Sequence, residues 1–348
     1  MSDIPDRAST GSIGVVAPVY NGVRHVRQQL ESILSQSLLP DVLLVVDDGS
    51  EDGTFEIVRD VVAGARVNLQ IHRGEHVGLR RNVQRALELI RTDIVVLSDQ
   101  DDVWMPDRLA AIRSAFANPA VTLWFSNAAL IDERGNALGA TTWESVRLDS
   151  ESLESIAAGR GVSRLIHGQT VTGATMAVRR SVLGLALPLP DALDPPDHLM
   201  LHDGWLALIA ALEGTVIADP HLYTLYRQHP AQLTGMSMSA RDGGRGRNAL
   251  HIDRERVGLV LERLRERDAL SECEPVAVRW LLDAEAFYTV RAMPRGWKRV
   301  WPVLKQGARG SYHVHAAGWR TLVFDMMPVP LGSRDRDRPG GSRPPTSA

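Results

Sequence analysis

The chain contains 348 residues, of which 44% are hydrophobic and 23% are charged, and its formal net charge is −3 at pH 7. A chain of this length predicts about two domains of ~150 residues, and its ordinary composition without a basic excess argues against a nucleic-acid partner. The single cysteine, Cys273, excludes an internal disulfide and a zinc site made of several thiolates. One cysteine is typical of a reducing compartment, so we expect a cytoplasmic protein.

Neither end of the chain has the pattern of a targeting or membrane-spanning segment. Residues 1–12 are polar and are predicted to be flexible, without the apolar stretch of a signal peptide. No run approaches the ~18 apolar residues that cross a bilayer. Residues 331–348 mix Arg, Asp, Pro, Gly and Ser without apolar periodicity, which predicts a disordered tail.

Short apolar runs alternate with segments of helical periodicity between residues 13 and 126, which is typical of βα units. The runs have little polar alternation, as expected for parallel strands that are buried on both faces. The predicted strands cover residues 13–19, 42–46, 67–71, 94–97 and 121–125, and the predicted helices cover residues 23–36, 54–62, 77–90 and 107–116. The sequence therefore predicts an α/β fold with a doubly wound, mostly parallel sheet of the Rossmann-like kind.

The pattern loosens after residue 126 and predicts elements that complete a mixed sheet. These are a strand pair at 129–138, a helix at 151–158, a strand at 172–178 and a helix at 201–212. We expect a catalytic domain over residues 13–234 and a Gly/Arg-rich linker over residues 235–248. A helical appendage over residues 249–330 is predicted from two amphipathic stretches, 254–267 and 276–292.

The second predicted strand is followed by Asp47-Asp48-Gly49-Ser50. Ligands of open parallel sheets bind outside the carboxyl ends of the strands, so this tetrapeptide lies where a ligand would bind. A tight turn that caps the next helix would use the same residue types, because Asp and Ser cap helices and Gly permits positive φ. On the residues alone, both interpretations stay open.

The fourth predicted strand is followed by three carboxylates within four residues, Asp99, Asp101 and Asp102. Like charges this close raise one another's pKa unless a cation neutralises them, and Mg²⁺ or Mn²⁺ prefers oxygen ligands. No Gly-x-Gly-x-x-Gly follows the first strand, and no Gly-Lys-Ser/Thr loop offers backbone amides to a phosphate. We therefore expect a divalent metal on acidic side chains. The alternative is a solvated acidic loop ahead of the next helix.

The order of these motifs resembles family 2 glycosyltransferases, which have the GT-A fold. The resemblance covers residues 12 to about 230 and is carried by Pro18-Val19-Tyr20-Asn21, Val46-Asp47-Asp48-Gly49-Ser50, Arg81-Asn82, Asp99-x-Asp101, Thr172-Gly173-Ala174, His202-Asp203 and Tyr226-Arg227-Gln228-His229. The form of the last two motifs, with Ser98-Asp99-Gln100-Asp101-Asp102, is similar to bacterial rhamnosyltransferases of surface polysaccharides. The Gln-x-x-Arg-Trp motif of processive synthases is missing, which favours transfer of a single sugar.

The resemblance implies a donor that is a nucleoside-diphosphate sugar, with UDP or dTDP as the nucleotide and dTDP-rhamnose as one candidate. The implied acceptor is a hydroxyl of a glycan, a lipid-linked sugar or a secondary metabolite, in the biosynthesis of cell-surface polysaccharides or glycoconjugates. The residues expected to bind the donor are Pro18, Val19, Tyr20, Asn21, Asp47, Asp48, Arg81, Asp99 and Gln100. A carboxylate at position 48 can accept from the ring N–H of uracil or thymine.

The remaining implied roles concern charge. Asp101, Asp99 and His229 are the implied ligands of Mg²⁺ or Mn²⁺, although His229 could equally be a polar residue without a ligand role. Asp203 matches the base of inverting enzymes, which takes a proton from the acceptor hydroxyl. On residue type alone, Asp203 could instead be a helix N-cap. Arg81 could pair with phosphate, or it could be a solvated charge, as could Arg80 and Arg227.

Two other classes of function stay open. One is a nucleotidyltransferase, which also sets carboxylates and Mg²⁺ against a nucleotide, and the other is a non-catalytic module that binds a sugar nucleotide or a glycan. A last segment, residues 296–327, has Trp297, Trp301 and Trp319 among Lys and Arg. It could contact a membrane surface where lipid-linked acceptors reside, or it could pack on the catalytic domain.

Overall fold

The computed structural model describes residues 11–167, 170–194, 199–230, 247–293, 297–316 and 318–326. It divides into two compact units, the first up to Leu281 and the second from Leu282. The predicted tail over residues 331–348 and residues 1–10 of the predicted flexible N-terminus lie outside the described residues. Most of the predicted linker over residues 235–248 does so as well, and its place as a domain boundary stays a prediction.

A mixed sheet forms the first unit. Its nine strands within the described residues are β1 (Ile13–Val19), β2 (Val42–Asp47), β3 (Asn68–Arg73), β4 (Ile94–Leu97), β5 (Val103–Trp104), β6 (Val121–Ile131), β7 (Ala137–Thr141), β8 (Met176–Arg179) and β9 (Thr215–Arg227). The strand order is β3-β2-β1-β4-β8-β6-β9-β5, and β7 pairs with β6. The first four strands are parallel, β8 runs antiparallel between β4 and β6, and β9 is parallel to β6.

Helices lie between these strands in the chain and follow the last of them. In chain order they are α1 (Val26–Leu34), α2 (Thr54–Val62), α3 (Leu79–Leu89), α4 (Arg108–Ala115), α5 (Thr142–Val146), α6 (Ser150–Ala157), α7 (Gly161–Leu165), α8 (Val182–Ala186), α9 (His202–Glu213), α10 (Arg247–Glu266), α11 (Pro275–Ala292), α12 (Trp297–Ala308), α13 (Ser311–His315) and α14 (Trp319–Met326). The predicted α/β class, with its mixed sheet and C-terminal helices, is confirmed.

The parallel half of the sheet follows the apolar runs closely. The residues of β1, β2 and β4 are nearly all buried, as strands covered on both faces should be. Helix α1 packs onto them through Val26, Leu30 and Ile33, which share one face at helical spacing. The helix begins three residues later than predicted, because residues 22–25 form a turn closed by bonds from the amides of His25 and Val26 to the Gly22 carbonyl.

The sequence does not predict β5 and β9. Strand β5 has only two residues, and β9 is interrupted by Asp219-Pro220-His221, which has the composition of a turn. The register between β6 and β9 shifts at this point, from Ser126 opposite Asp219 to Asn127 opposite Leu222. Pro220 therefore sits in an irregular stretch of the ladder, where the missing N–H is tolerated.

Helix α9 is buried along nearly its whole length. Residues 202–212 are all buried, and the indole of Trp205 donates to the Ala186 carbonyl at 2.9 Å. A helix that is apolar on every side belongs in the interior of a domain. This burial fixes the amino end of α9, which carries His202 and Asp203.

Helix α10 belongs to the first unit. The guanidinium of Arg263 donates to the carbonyls of Leu185 and Ala186, both at 2.9 Å, and to that of Pro188 at 2.8 Å. Arg256 donates to the Ile166 carbonyl at 3.1 Å. The first helix of the predicted appendage is thus hydrogen-bonded to the end of α8, to the loop after it and to Ile166, the C-cap of α7.

The second unit contains a buried polar core. Asp325 is buried and forms ion pairs with Arg291 at 2.8 Å and with Arg299 at 3.1 Å. The Tyr312 hydroxyl donates to Asp325 at 3.1 Å, and the rings of Tyr312 and Phe287 meet edge to face at 5.0 Å. No helix in the described ranges is long and apolar enough to cross a membrane.

Cys273 provides a test of packing at the start of α11. Its side chain is 5% exposed, and burial together with Glu213, Glu272 and Glu274 raises the pKa of its thiol to about 11. The thiolate is the reactive form, so we expect iodoacetamide to alkylate the folded protein about 100-fold more slowly near pH 8 than a thiol whose pKa is 9.0.

The rate should rise about tenfold for each pH unit up to about pH 11, because the thiolate fraction does so. Intact-mass spectrometry follows the reaction at the only cysteine of the chain, and the urea-unfolded chain is the control. Equal rates for the folded and unfolded protein would contradict the described burial.

Candidate active site

Two carboxylates from distant parts of the chain meet at Gly173. The Gly173 amide donates to Oδ2 of Asp203 at 3.0 Å. A Cβ added at Gly173 would lie 3.7 Å from Oδ1 of Asp99 and 3.4 Å from Nε2 of His202. Gly173 thus lies in contact distance of Asp99, which follows β4, and is hydrogen-bonded to Asp203, in the first turn of α9.

Asp203 is held by backbone amides. Its second oxygen, Oδ1, accepts from the Gly204 amide at 2.7 Å, and its side chain is 5% exposed. The N-cap of α9 is Leu201, so the interpretation of Asp203 as an N-cap is wrong. The two amide donors fix the orientation of this carboxylate in the first turn of α9.

The acidic loop after β4 is fixed by the end of β9. The Arg227 amide donates to Oδ1 of Asp102 at 2.9 Å, and its Nε donates to the Asp101 carbonyl at 2.7 Å. The same guanidinium donates to the carbonyls of Asp132 and Glu133 and to the side chain of Gln28. Arg227 and Asp102 are both 1% exposed. The interpretations of Arg227 as a solvated charge and of this loop as a solvated one are therefore wrong.

Asp101, in the acidic loop, pairs with His229, which follows β9. Arg227 joins these two segments. Nε2 of His229 lies 2.8 Å from Oδ2 of Asp101, and both side chains are largely buried. The ring of His25, just before α1, lies 5.6 Å from that of His229. Burial, Arg227 and His229 lower the pKa of His25, which keeps its imidazole neutral. No sequence motif includes His25, so sequence reasoning missed it.

The carboxylates of this region repel one another. Burial, Asp101 and Asp203 raise the pKa of Asp99 to about 7. The pKa of Asp102 is also raised, by burial and then by Asp101 and Asp99. The phenol of Tyr226 is buried beside the same carboxylates, and both burial and their charge raise its pKa, so it remains protonated. The region holds more negative charge than the described side chains neutralise.

A divalent cation fits this charge and donor set. Asp101 and His229 offer an oxygen and a nitrogen ligand, and Oδ2 of Asp102 is buried without a hydrogen-bond partner in the described part of the chain. Carboxylate oxygen suits Mg²⁺ and Mn²⁺. No three His, Cys, Asp or Glu side chains of the described ranges are grouped closely enough to hold an ion on their own. The protein would thus supply part of a coordination shell.

Arg108 is the buried cation beneath the acidic loop. It is 0% exposed, and its NH1 donates to the Ala174 carbonyl at 2.6 Å and to the Thr224 hydroxyl at 3.0 Å. Its guanidinium lies 3.9 Å from the ring centre of Trp104. Burial lowers the pKa of Arg108 to about 9, against the opposing effect of Asp102 and Asp99. It therefore stays charged at neutral pH and offsets part of the negative charge above it.

The loop after β1 is fixed by Gln100. Its side chain accepts from the Tyr20 amide at 2.8 Å and donates to the Tyr20 carbonyl at 2.9 Å. A Cβ at Gly22 would lie 2.5 Å from the Gln100 oxygen, so a side chain there would displace the Gln100 amide. Asn21 has φ of +45°, and its side chain accepts from the Glu51 amide at 3.0 Å. These contacts join the acidic loop to the loops that follow β1 and β2.

In the tetrapeptide that begins at the last residue of β2, Gly49 has φ of +77°. The N-cap of α2 is Gly53, so the tetrapeptide does not cap this helix. Asp47 is buried and accepts from the Ser50 amide at 3.2 Å. Asp48 accepts from the amides of Val77 and Gly78, both at 2.9 Å. Both carboxylates therefore have roles in shaping the loops at this rim.

The rim carries two stacked rings. Nδ1 of His76 lies 2.8 Å from Oδ2 of Asp48, and the His76 ring stacks on Tyr20 with centroids 4.1 Å apart. Tyr20 is 39% exposed, so an aromatic surface faces solvent beside the buried carboxylate of Asp48. This is the chemistry that a planar nucleobase requires.

The other expected donor residues lie nearby or on adjacent elements. Pro18 and Val19 end β1, and Val19 is buried. Arg81 lies exposed on α3. Its neighbour Arg80 is not a solvated charge, because it is buried and forms ion pairs with Asp191 and Asp194, both at 2.7 Å.

Comparison with known proteins finds a matching family and several relatives. Residues 14–184 match the model of glycosyl transferase family 2. An uncharacterized glycosyltransferase of Nostoc sp. is 23% identical over 219 residues, which are 63% of this chain and 65% of that protein. The dTDP-rhamnosyl transferase RfbG of Shigella flexneri is 28% identical over 95 residues, 26% of this chain and 33% of that protein. The matches thus span about a third to two thirds of these relatives.

Solved structures show the fold. S. aureus TarS has a TM-score of 0.54 and 15% identity, over 90% of this chain and 54% of that chain. A structure of TarS 1–349 in complex with UDP-GlcNAc has a TM-score of 0.50 and 15% identity, over 89% and 90% of the two chains. The fold is of the GT-A type. Through residues 14–184 the chain belongs to glycosyl transferase family 2, as its ordered motifs predict.

Replacement of Arg108 by methionine tests the buried charge balance. The substitution keeps much of the side-chain volume but leaves Asp99 and Asp102 without their nearest buried cation. Arg108 also donates to the Ala174 carbonyl and the Thr224 hydroxyl, and hydrogen bonds to a charged group contribute about 1.5–3 kcal/mol each, so we expect the free energy of unfolding to fall by about 3 kcal/mol or more in urea titrations.

Arg59→Met is the matched control, because Arg59 is exposed on α2 and surface changes stay within about 0.5 kcal/mol. Equal loss in both variants would mean that Arg108 does not compensate the acidic loop.

Proposed function

We propose that this protein is an inverting glycosyltransferase that moves one sugar from a nucleoside-diphosphate sugar to an acceptor hydroxyl. The observation that carries the proposal is the pair of carboxylates at Gly173, where Asp203 is held by two amides and Asp99 lies on the other side of the glycine. These two carboxylates would supply one group that orients the sugar and one that activates the acceptor hydroxyl.

The donor nucleotide would bind at the rim of β1, β2 and α3. Support comes from the exposed stack of Tyr20 on His76 beside Asp48. A base could stack on this surface, and a spare lone pair of Asp48 could accept from the ring N–H of uracil or thymine. Arg81 would pair with the phosphates, and Asp99 would face the ribose or the sugar.

The metal site would comprise Asp101, Asp99 and His229, with oxygens of the donor diphosphate and water completing the shell. When bound there, Mg²⁺ or Mn²⁺ supplies charge stabilisation to the leaving nucleoside diphosphate. The protein's own part is to keep these side chains in place, which Arg227 does through the Asp101 carbonyl and the Asp102 carboxylate.

Asp203 is the proposed base. Two amides orient its carboxylate, and it would accept the proton of an acceptor hydroxyl that attacks the anomeric carbon from the face opposite the leaving group. The displacement inverts the anomeric configuration. His202 beside it stays neutral, because burial lowers its pKa.

The proposed process is the assembly of a cell-surface polysaccharide or glycoconjugate from a cytoplasmic donor. The acceptor would be a glycan, a lipid-linked sugar or a secondary metabolite. Similarity to the dTDP-rhamnosyl transferase RfbG supports dTDP-rhamnose as a donor candidate, and the likeness to TarS in complex with UDP-GlcNAc keeps UDP sugars in the same panel.

A panel of UDP, dTDP and GDP sugars tests the function. We expect release of a nucleoside diphosphate with at least one UDP or dTDP sugar in the presence of Mg²⁺ or Mn²⁺, and its loss when EDTA is added. Mass spectrometry of the nucleotide product is the measurement. Tight UDP or dTDP binding without turnover on any donor or acceptor would favour the binding module, and release of pyrophosphate would favour a nucleotidyltransferase.

Replacement of Asp203 by asparagine tests the base. We expect kcat for transfer to fall by about 10²- to 10⁴-fold, the usual contribution of a positioned base. Calorimetric affinity for the nucleotide should stay close to that of the wild type, because the proposed nucleotide site lies on other elements. Asp60→Asn, at an exposed residue of α2, is the control. An Asp203→Asn enzyme with wild-type kcat would assign the base elsewhere.

A further inference from the structure

The second unit contains a long stretch without acidic residues. Between Glu285 and Asp325 the sequence has no Asp or Glu, although the whole chain has a net charge of −3. The stretch contains seven basic residues: Arg291, Arg295, Lys298, Arg299, Lys305, Arg309 and Arg320. Its charge is therefore opposite to that of the chain as a whole.

Helix α12 divides this stretch into a packed face and an exposed face. Arg299, Val303 and Gln306 are buried and share one face of the helix. On the opposite face Trp301 is 75% exposed and Leu304 is 41% exposed. A tryptophan that is three-quarters exposed leaves a large apolar area in water, which soluble surfaces usually avoid.

The basic residues of α12 have two different roles. Arg299 points inward and pairs with Asp325 at 3.1 Å. Lys298 and Lys305 are exposed, and their spacing of seven residues puts them on one side of the helix beside Trp301. An apolar stripe thus runs next to a lysine stripe on the exposed side of α12.

We propose that the exposed face of α12 lies on an anionic lipid surface, with Trp301 and Leu304 at the headgroup level and Lys298 and Lys305 over the lipid phosphates. Tryptophan and lysine are the residues that favour this interface, and each lysine near an anionic leaflet contributes about 1 kcal/mol. A 12-residue helix is only ~18 Å long, and its exposed face is smaller than the ~800 Å² per partner of a stable protein interface.

The test is flotation of the full-length protein with vesicles of phosphatidylcholine alone or mixed with phosphatidylglycerol. We expect binding to the anionic vesicles, weak binding to the neutral ones, and release by salt, which screens the lysine contribution. The measurement does not use catalysis, so it stands or fails independently of the proposed glycosyl transfer.

Two variants separate the contributions. Lys298→Gln/Lys305→Gln should lower the partition coefficient about fivefold for each charge removed. Trp301→Ser/Leu304→Ser should lower it by about tenfold or more, because the apolar contact is lost. Leu138→Ser and Arg59→Gln, at exposed residues of β7 and α2, are the matched controls and should bind as the wild type does. Circular dichroism confirms that each variant is folded.

Three results would overturn the proposal. One is no binding to either kind of vesicle. Another is binding that is equal for the wild type and both double variants, which would assign it to a different surface. The third is a concentration-dependent dimer in sedimentation velocity that Trp301→Ser/Leu304→Ser abolishes without vesicle binding, because the face would then contact a second copy of the chain.

Discussion

Burial of negative charge at one rim of the sheet is the constraint on which the rest of the structure depends. Asp99, Asp102 and Asp203 lie within reach of one another's charge, and burial raises the pKa of the first two. Two buried arginines offset part of this negative charge. Arg108 donates to Ala174, in the turn before β8, and to Thr224, in β9. Arg227 contacts the acidic loop itself. The acidic rim therefore depends on contacts that β9 and the turn at residues 173–175 supply.

The same contacts explain why the site draws on such distant parts of the sequence. Arg227 hydrogen-bonds to residues 28, 101 and 102 and to the β6–β7 turn, so it joins the end of β9 both to the acidic loop and to α1, where Gln28 lies 199 residues earlier in the chain. Hydrogen bonds to several carbonyls reduce the free-energy cost of burying a guanidinium, and they also fix its position. The pairing of Asp101 with His229 depends on these hydrogen bonds, because Arg227 connects the two segments in which the residues lie.

The parallel half of the fold could be predicted because its signal is local. Apolar runs such as Ile13–Val19 and Ile94–Leu97 have the same bounds in the prediction and in the structure. A strand that is buried on both faces is specified mainly by its run of apolar residues. Strand β9 could not be predicted, because its pairing with β6 overrides the turn-like Asp219-Pro220-His221. The burial of Arg227 likewise depends on carbonyls supplied by other segments, which no local pattern records. His25 and Tyr226 join the candidate site through contacts of the same long-range kind.

The expected donor-binding residues differ in whether their polar atoms already form hydrogen bonds within the protein. Both polar atoms of the Gln100 amide bind the Tyr20 backbone, and Asp48 receives two loop amides. Their first contribution is thus to the shape of the loops after β1, β2 and β3. Tyr20 and His76 are left facing solvent. In the proposed donor site, base selectivity would then come from a preformed stacking surface with a fixed carboxylate, and a substitution at Gln100 would change it indirectly, by releasing the loop that carries Tyr20.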